Sequence, residues 1–153
     1  MYAPVRHRAP ARGFTLIEVL LVVVIIGAMA SIAIPGLSRT IRQERVRKIQ
    51  VEVASDLEFA FAAAARSEVP ITVTYSSSTS ALSIANRVTG TVLRTRYLGR
   101  AGDFSLTGVT LSPSAGMVIF PMGISNSTLS ITLTNGNYSR TVSVTRAGQV
   151  TKS

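Results

Sequence analysis

The chain has no cysteine and no tryptophan, and its single histidine, His7, falls within the first thirteen residues. Without thiols there is neither a disulfide framework nor a thiolate metal site, so packing and strand pairing alone must hold the fold. A lone histidine at the extreme N-terminus leaves the rest of the chain without a Ser-His-Asp triad or a histidine metal centre. Acid is scarce as well, since beyond Val69 the one acidic side chain is Asp103. Paired-carboxylate hydrolysis and a carboxylate calcium cage are excluded there. No GxxxxGK[ST] or GxGxxG spacing occurs, and Gly99-Arg100-Ala101-Gly102 has neither that spacing nor a helix to follow it. With no set of residues suited to a cofactor or a metal, the sequence reads as a structural or binding protein, not an enzyme.

What is present starts with GFTLIEVLLVVVIIGAMASIAIP, Gly13 to Pro35. From Phe14 to Ile34 there are 21 residues with one charge, Glu18. As a helix this run reaches about 31 Å, the thickness of a bilayer's hydrocarbon core. The preceding segment carries Arg6, Arg8 and Arg12 and no acid. The positive-inside bias therefore keeps the N-terminus in the cytoplasm and puts the rest outside. A conventional secretory leader fits poorly, because the apolar run is longer than the roughly 7 to 15 residues of an ordinary h-region. Cleavage on its basic side, after Gly13, would leave the membrane helix attached to the product.

A carboxylate inside a hydrocarbon-embedded helix costs a few kcal/mol unless it is protonated or paired. If the chain is cut before Phe14, the new amine of Phe14 on a neighbouring, axially staggered helix can supply that pairing. Glu18 then sets the register of assembly. At the outer end, Pro35 removes a helical hydrogen bond and disfavours helix at the residue before it, which predicts a kink or local unwinding over Ile34 to Leu37.

An amphipathic pattern resumes at once. Leu37, Ile41, Val46, Ile49, Val53, Leu57, Ala60, Phe61 and Ala64 recur at steps of mostly three and four, with charged residues between them. This predicts a helix to about Arg66, ended by Val69-Pro70. The run Arg39 to Lys48 lies just beyond the apolar stretch, where it can meet lipid phosphates, an acidic neighbour or solvent. Beyond Pro70 the period changes to two. Strands are expected at Ile71 to Tyr75, Ala81 to Ala85, Thr91 to Leu98, Phe104 to Leu111, Met117 to Phe120, Thr128 to Thr134, Tyr138 to Val144 and Gln149 to Thr151. Asn135-Gly136 is the strongest hairpin signal. The expected organisation is a leader over 1–13, a membrane-spanning helix over 14–34, an amphipathic outer half over 35–67 and a β-rich domain over 68–153. The fold class is α+β, a long helix packed on an antiparallel sheet.

Net charge is +9. Three of those charges are leader arginines, so a chain starting at Phe14 keeps six. From Val69 on, seven basic side chains face the single acid Asp103. Arg94 and Arg96, two apart on an expected strand, point to one face, and Arg87, Arg100 and Arg140 are candidate neighbours. Converging, they would form an anion-binding patch able to contact about three to five phosphates with steep salt dependence. Tyr97 alone offers little for base stacking. The other reading is a set of long side chains that keep strand faces wet and edges unpaired.

Arg12-Gly13-Phe14-Thr15-Leu16-Ile17-Glu18, followed by the apolar run and Pro35, resembles the type III signal of type IV pilins and type II secretion pseudopilins. The resemblance implies a pilin-like fold in the bacterial inner membrane, with the C-terminal domain in the periplasm and the helix over 14–34 serving also as a filament core. It further implies cleavage by prepilin peptidase between Gly13 and Phe14, N-methylation of Phe14, an assembly role for Glu18, and other major and minor subunits and an inner-membrane platform as partners. Further along, Phe120-Pro121-Met122-Gly123, the Asn135-Gly136 hairpin and Val142 to Val150 are similar to H-type minor pseudopilins and the related T- and U-type minor pilins. That likeness implies a minor pseudopilin of a type II secretion system, at or near the filament tip. The alternative is a minor pilin that primes type IV pili, with DNA binding in competence as a further option. Some T-type relatives bind DNA through a C-terminal glycine-arginine-x-arginine tail. Here Gly148-Gln149-Val150-Thr151-Lys152 lacks both arginines.

Overall fold

The computed structural model describes residues 13–99 and 106–153, and only the backbone of 33–35. One helix, α1 (Leu16–Ser67), is followed by eight strands: β1 (Ile71–Ser76), β2 (Ala81–Asn86), β3 (Val92–Tyr97), β4 (Gly108–Ser112), β5 (Met117–Ile119), β6 (Leu129–Asn135), β7 (Tyr138–Val144) and β8 (Val150–Lys152). Contacts divide the chain into two compact units, with the boundary after Ser38. The amphipathic part of α1 from Arg39 onward therefore belongs to the same unit as the strands. The helix assignment continues across Pro35, so the expected unwinding over Ile34 to Leu37 does not interrupt α1.

In the first unit every described side chain of the apolar run is exposed except Ala30, which is half-buried. Phe14 and Leu16 are each 83% exposed, and Ile25, Ile26 and Met29 are exposed too. This stretch contains a helix long and apolar enough to cross a membrane. Leaving that much apolar surface in water is unfavourable by roughly 25 cal/mol per Å². The helix must be covered by lipid or by protein.

In the second unit the helix stripe starts later than the pattern suggested. Leu37, still in the first unit, and Ile41 are exposed, whereas Val46, Ile49, Val53, Leu57, Ala60 and Ala64 are almost completely buried. Their steps of three and four put them on one face. The small Ala60, Ala63 and Ala64 let strand side chains approach the helix closely, and helix and strands share one apolar core. Pro70 follows the helix end, where Glu68 adopts the left-handed conformation at φ 55°.

The strands form two four-stranded antiparallel sheets, β3-β2-β1-β5 and β4-β6-β7-β8, where one sheet was expected. Both present alternate residues to the helix. Ile71, Val73, Leu82 and Ile84 come from the first sheet, and Leu129, Ile131, Leu133, Val142 and Val144 from the second. The outer face of the second sheet is a ladder of hydroxyl pairs, Ser130 with Ser143 and Thr132 with Thr141. Gln50, buried in the helix face, donates from Nε2 to the carbonyls of Thr141 and Ser153, at 2.9 and 2.8 Å. It ties the end of the chain to α1.

The hairpin signal is in place, displaced by one residue. Asn135 pairs with Tyr138, so the two central turn residues are Gly136 and Asn137. Among the described residues only Gly136 of that pair has positive φ, 60°. This is the II′ pattern, with glycine first, and its twist suits the strands it joins. A second glycine is held more tightly. Gly116 enters β5 at φ 82°, and a Cβ there would lie 2.1 Å from the carbonyl oxygen of Val73. Gly116→Ala is expected to separate β5 from β1 and cost about 2 to 3 kcal/mol, the sum of a backbone clash and a strained φ. Chemical denaturation of the full chain in detergent measures this, and a loss below about 0.5 kcal/mol, the range of ordinary surface substitutions, contradicts it.

Candidate assembly site

The N-terminal site is built by the first turn of α1. Thr15 caps it: the Glu18 amide donates to the Thr15 carbonyl at 3.1 Å and to its Oγ1 at 3.3 Å. Thr15 and Glu18 thus occupy the Ncap and N3 positions of a capping-box sequence, Ser/Thr-x-x-Glu. The cap was missed in the sequence, although Thr-Leu-Ile-Glu before an apolar run is its recognised signal. The carboxylate of Glu18 also lies at the positive end of the helix dipole, a favourable position for an anion. Gly13, Phe14 and Glu18 are all exposed. An amine created at Phe14 would lie one residue before the cap and four before the only charge of the apolar run.

The basic residues of the sheet region are distributed otherwise than a single patch requires. Arg94 and Arg96 do share one face of β3, but that face turns toward α1. Asp56, 1% exposed, accepts from Arg94 Nη1 at 2.7 Å, from Arg96 Nη2 at 3.0 Å and from Arg96 Nε. Arg96 also pairs with Glu52, one helical turn before Asp56. The Arg94 guanidinium lies over the Phe59 ring, 4.2 Å from its centroid. The hydrogen bond to Asp56 raises the pKa of Arg96 above its ordinary value, outweighing the opposing effect of burial, and the charges of Asp56 and Glu52 add to it. Its stabilising contribution is therefore complete wherever a free guanidinium is still protonated, and fades only as the pH rises beyond that range.

Two of the five arginines are in this way neutralised by the helix. Arg87 lies in the β2–β3 turn, where its amide donates to the Pro70 carbonyl. Arg140 belongs to the other sheet and lines a cleft with Gln43 and Arg47 of α1. Arg100 falls outside the described residues. The sequence pattern puts Glu52 and Asp56 among the charged residues between the stripe positions, yet Ile49, Val53, Asp56 and Ala60 also follow the helical spacing of the buried stripe, a signal that could have found Asp56. An acid on that stripe calls for a cation opposite.

Comparison with known proteins agrees with this architecture. Residues 8–34 match the model of the prokaryotic N-terminal methylation motif. Two crystal forms of the type IV minor pilin FimU of Pseudomonas aeruginosa (strain PAO1) share the fold. One has TM-score 0.59 at 14% identity over 72% of this chain and 90% of FimU, and the other has 0.56 at 15% over 70% and 91%. No curated protein matched the sequence. The helix over two antiparallel sheets is thus a pilin-like α+β fold. Residues 51–148, well over half of the chain, match the model of the type II transport protein GspH, and the chain belongs to that family of pilin-like structural subunits.

Proposed function

We propose that the chain is a minor pseudopilin of a type II secretion system. It is cut by prepilin peptidase between Gly13 and Phe14 and methylated on the Phe14 amine. Residues 14–34 then hold it in the inner membrane, with the β-rich unit in the periplasm. It leaves the bilayer by packing this helix among those of sibling subunits at or near the tip of a short filament, and Glu18 pairs with a neighbour's Phe14 amine to set the stagger. Pro35 costs the helix one backbone hydrogen bond where it emerges without interrupting it. The observation that carries the reading is the capped apolar helix, its described side chains almost all exposed and one carboxylate at its start, joined to a unit of the GspH family. Its surface demands either lipid or a bundle of like helices, and its single charge demands a partner in both.

The fold likeness to FimU favours a second reading, a minor pilin that primes type IV pili. The two differ in which sibling subunits co-purify with the chain. The DNA-receptor reading has less support, because Asp56 and Glu52 already neutralise Arg94 and Arg96. Processing is tested by co-expressing the chain with a prepilin peptidase and determining the N-terminal peptide by mass spectrometry. The expected peptide begins at N-methyl-Phe14. A mature chain that still begins at Met1, or one cut beyond Ala28, contradicts the proposal.

A further inference from the structure

The core between α1 and the second sheet has one open end, and there both walls change from apolar to basic. On the helix, Val46 is the first buried residue of the stripe. One and two turns earlier on the same face stand Arg42 and Arg39, where an apolar pattern would have continued. On β7, Val142 and Val144 face the core, and two residues earlier on that face comes Arg140, opposite the buried Leu133. Tyr138, half-buried, follows on the same side. Between these walls lie two adjoining clefts of about 350 and 490 Å³, within the range of small-ligand sites. Arg47 and Glu44 line the first and pair with each other at 3.9 Å. Among the described residues, no carboxylate lies within ion-pair distance of Arg39, Arg42 or Arg140. Both clefts therefore keep a net positive charge, the second from Arg39 and Arg42 and the first from Arg47 and Arg140 even with Glu44 counted.

We propose that these adjoining clefts, which share Asn137 and Tyr138, together bind the phosphate of an anionic phospholipid headgroup. Guanidinium groups offer planar pairs of donors that match a phosphate, and a tyrosine with an apolar body and a polar tip suits the headgroup layer. Chain order favours lipid over another anion, because Arg39 follows the last residue of the apolar run, Ile34, by only five positions. A basic group at that place works on the surface potential of an anionic leaflet, where each contributes about a fivefold gain in binding. The inference rests on the membrane-anchor reading above and adds a specific headgroup contact to it.

The full chain is incorporated in nanodiscs of phosphatidylcholine alone, or of equal parts phosphatidylcholine and phosphatidylglycerol, and amide hydrogen exchange is followed over residues 136–142. Co-elution with the neutral discs tests the anchor by itself. In the anionic discs exchange is expected to slow about fivefold or more. The slowing should vanish in the R39Q/R42Q/R140Q variant, which keeps the wild-type melting temperature because all three side chains are exposed. Equal exchange in the two kinds of disc, or slowing that persists in the variant, overturns the proposal. So does the same slowing in neutral discs with inorganic phosphate, which marks a site for free anions. Slowing by polyglutamate but not by phosphatidylglycerol assigns the cleft to an acidic protein and also overturns it.

Discussion

Replacing Asp56 by alanine is expected to lower the unfolding free energy by about 3 to 5 kcal/mol, the usual cost of breaking a buried ion pair from one side. For a unit of this size the melting temperature falls by roughly 10 to 20 °C. Asp56 is the point where Arg94, Arg96 and the helix meet, and its removal leaves Arg96, with only 22% of its side chain exposed, to the partly exposed Glu52. Arg96→Ala should cost about as much, since it strands the buried carboxylate with Arg94 alone. Arg94→Ala should cost less, because its side chain is 40% exposed and water can take over part of its role. Replacing Asp56 and Arg96 together by leucine should recover most of the loss, as well-packed apolar pairs do where ion pairs are buried. Thermal melts of the four variants decide the matter. Equal, small losses for all of them would mean that the cluster is no more than a surface salt bridge. The cluster attaches the edge strand β3 to α1, so its loss should also speed hydrogen exchange in residues 92–97 ahead of the rest of the sheet.

Glu18→Val should leave membrane insertion intact or strengthen it, because a charge has been removed from the apolar run. The number of copies recovered in filaments should fall by about tenfold or more, the factor corresponding to roughly 1.4 kcal/mol of lost pairing. The residue also sits at N3 of the Thr15-capped turn, where a carboxylate favours the helix start by about 0.3 to 1 kcal/mol. Glu18→Gln separates these effects. It keeps a group that can accept a hydrogen bond at N3 and removes the charge, so assembly should fail with it too if amine pairing is what matters. Normal incorporation of the glutamine variant alongside failure of the valine variant would move the cause from charge to capping.

Most of the elements were legible because their periods are clean. The helical stripe from Val46 to Ala64 and the alternation in Ile71-Thr72-Val73 each depend on nearby residues, and so does the hairpin around Gly136. The division of the strands into two sheets was not legible. It depends on Met117 to Ile119 pairing back with Ile71 to Val73 across an intervening stretch of more than forty residues, and on β4 crossing to β6. No local period encodes such pairings. The basic patch was misleading for a related reason. The alternation correctly placed Arg94 and Arg96 on one face, yet which side that face turned to depended on Asp56, some forty residues away. Read backward from Val46, the same helical spacing puts Arg42 and Arg39 on the core face. Only the fold shows that Arg140 lines the cleft adjoining theirs.

The proposed role requires α1 to leave lipid for a bundle of like helices. A photoreactive residue placed at Val23, on the exposed apolar run, reports this directly in cells that make the assembled system. The expected product is a covalent adduct between this chain and a sibling subunit, attached within that subunit's own N-methylated helix, and the adduct should disappear when Glu18 is replaced by valine. Adducts to lipid alone, unchanged by that substitution, would contradict the account.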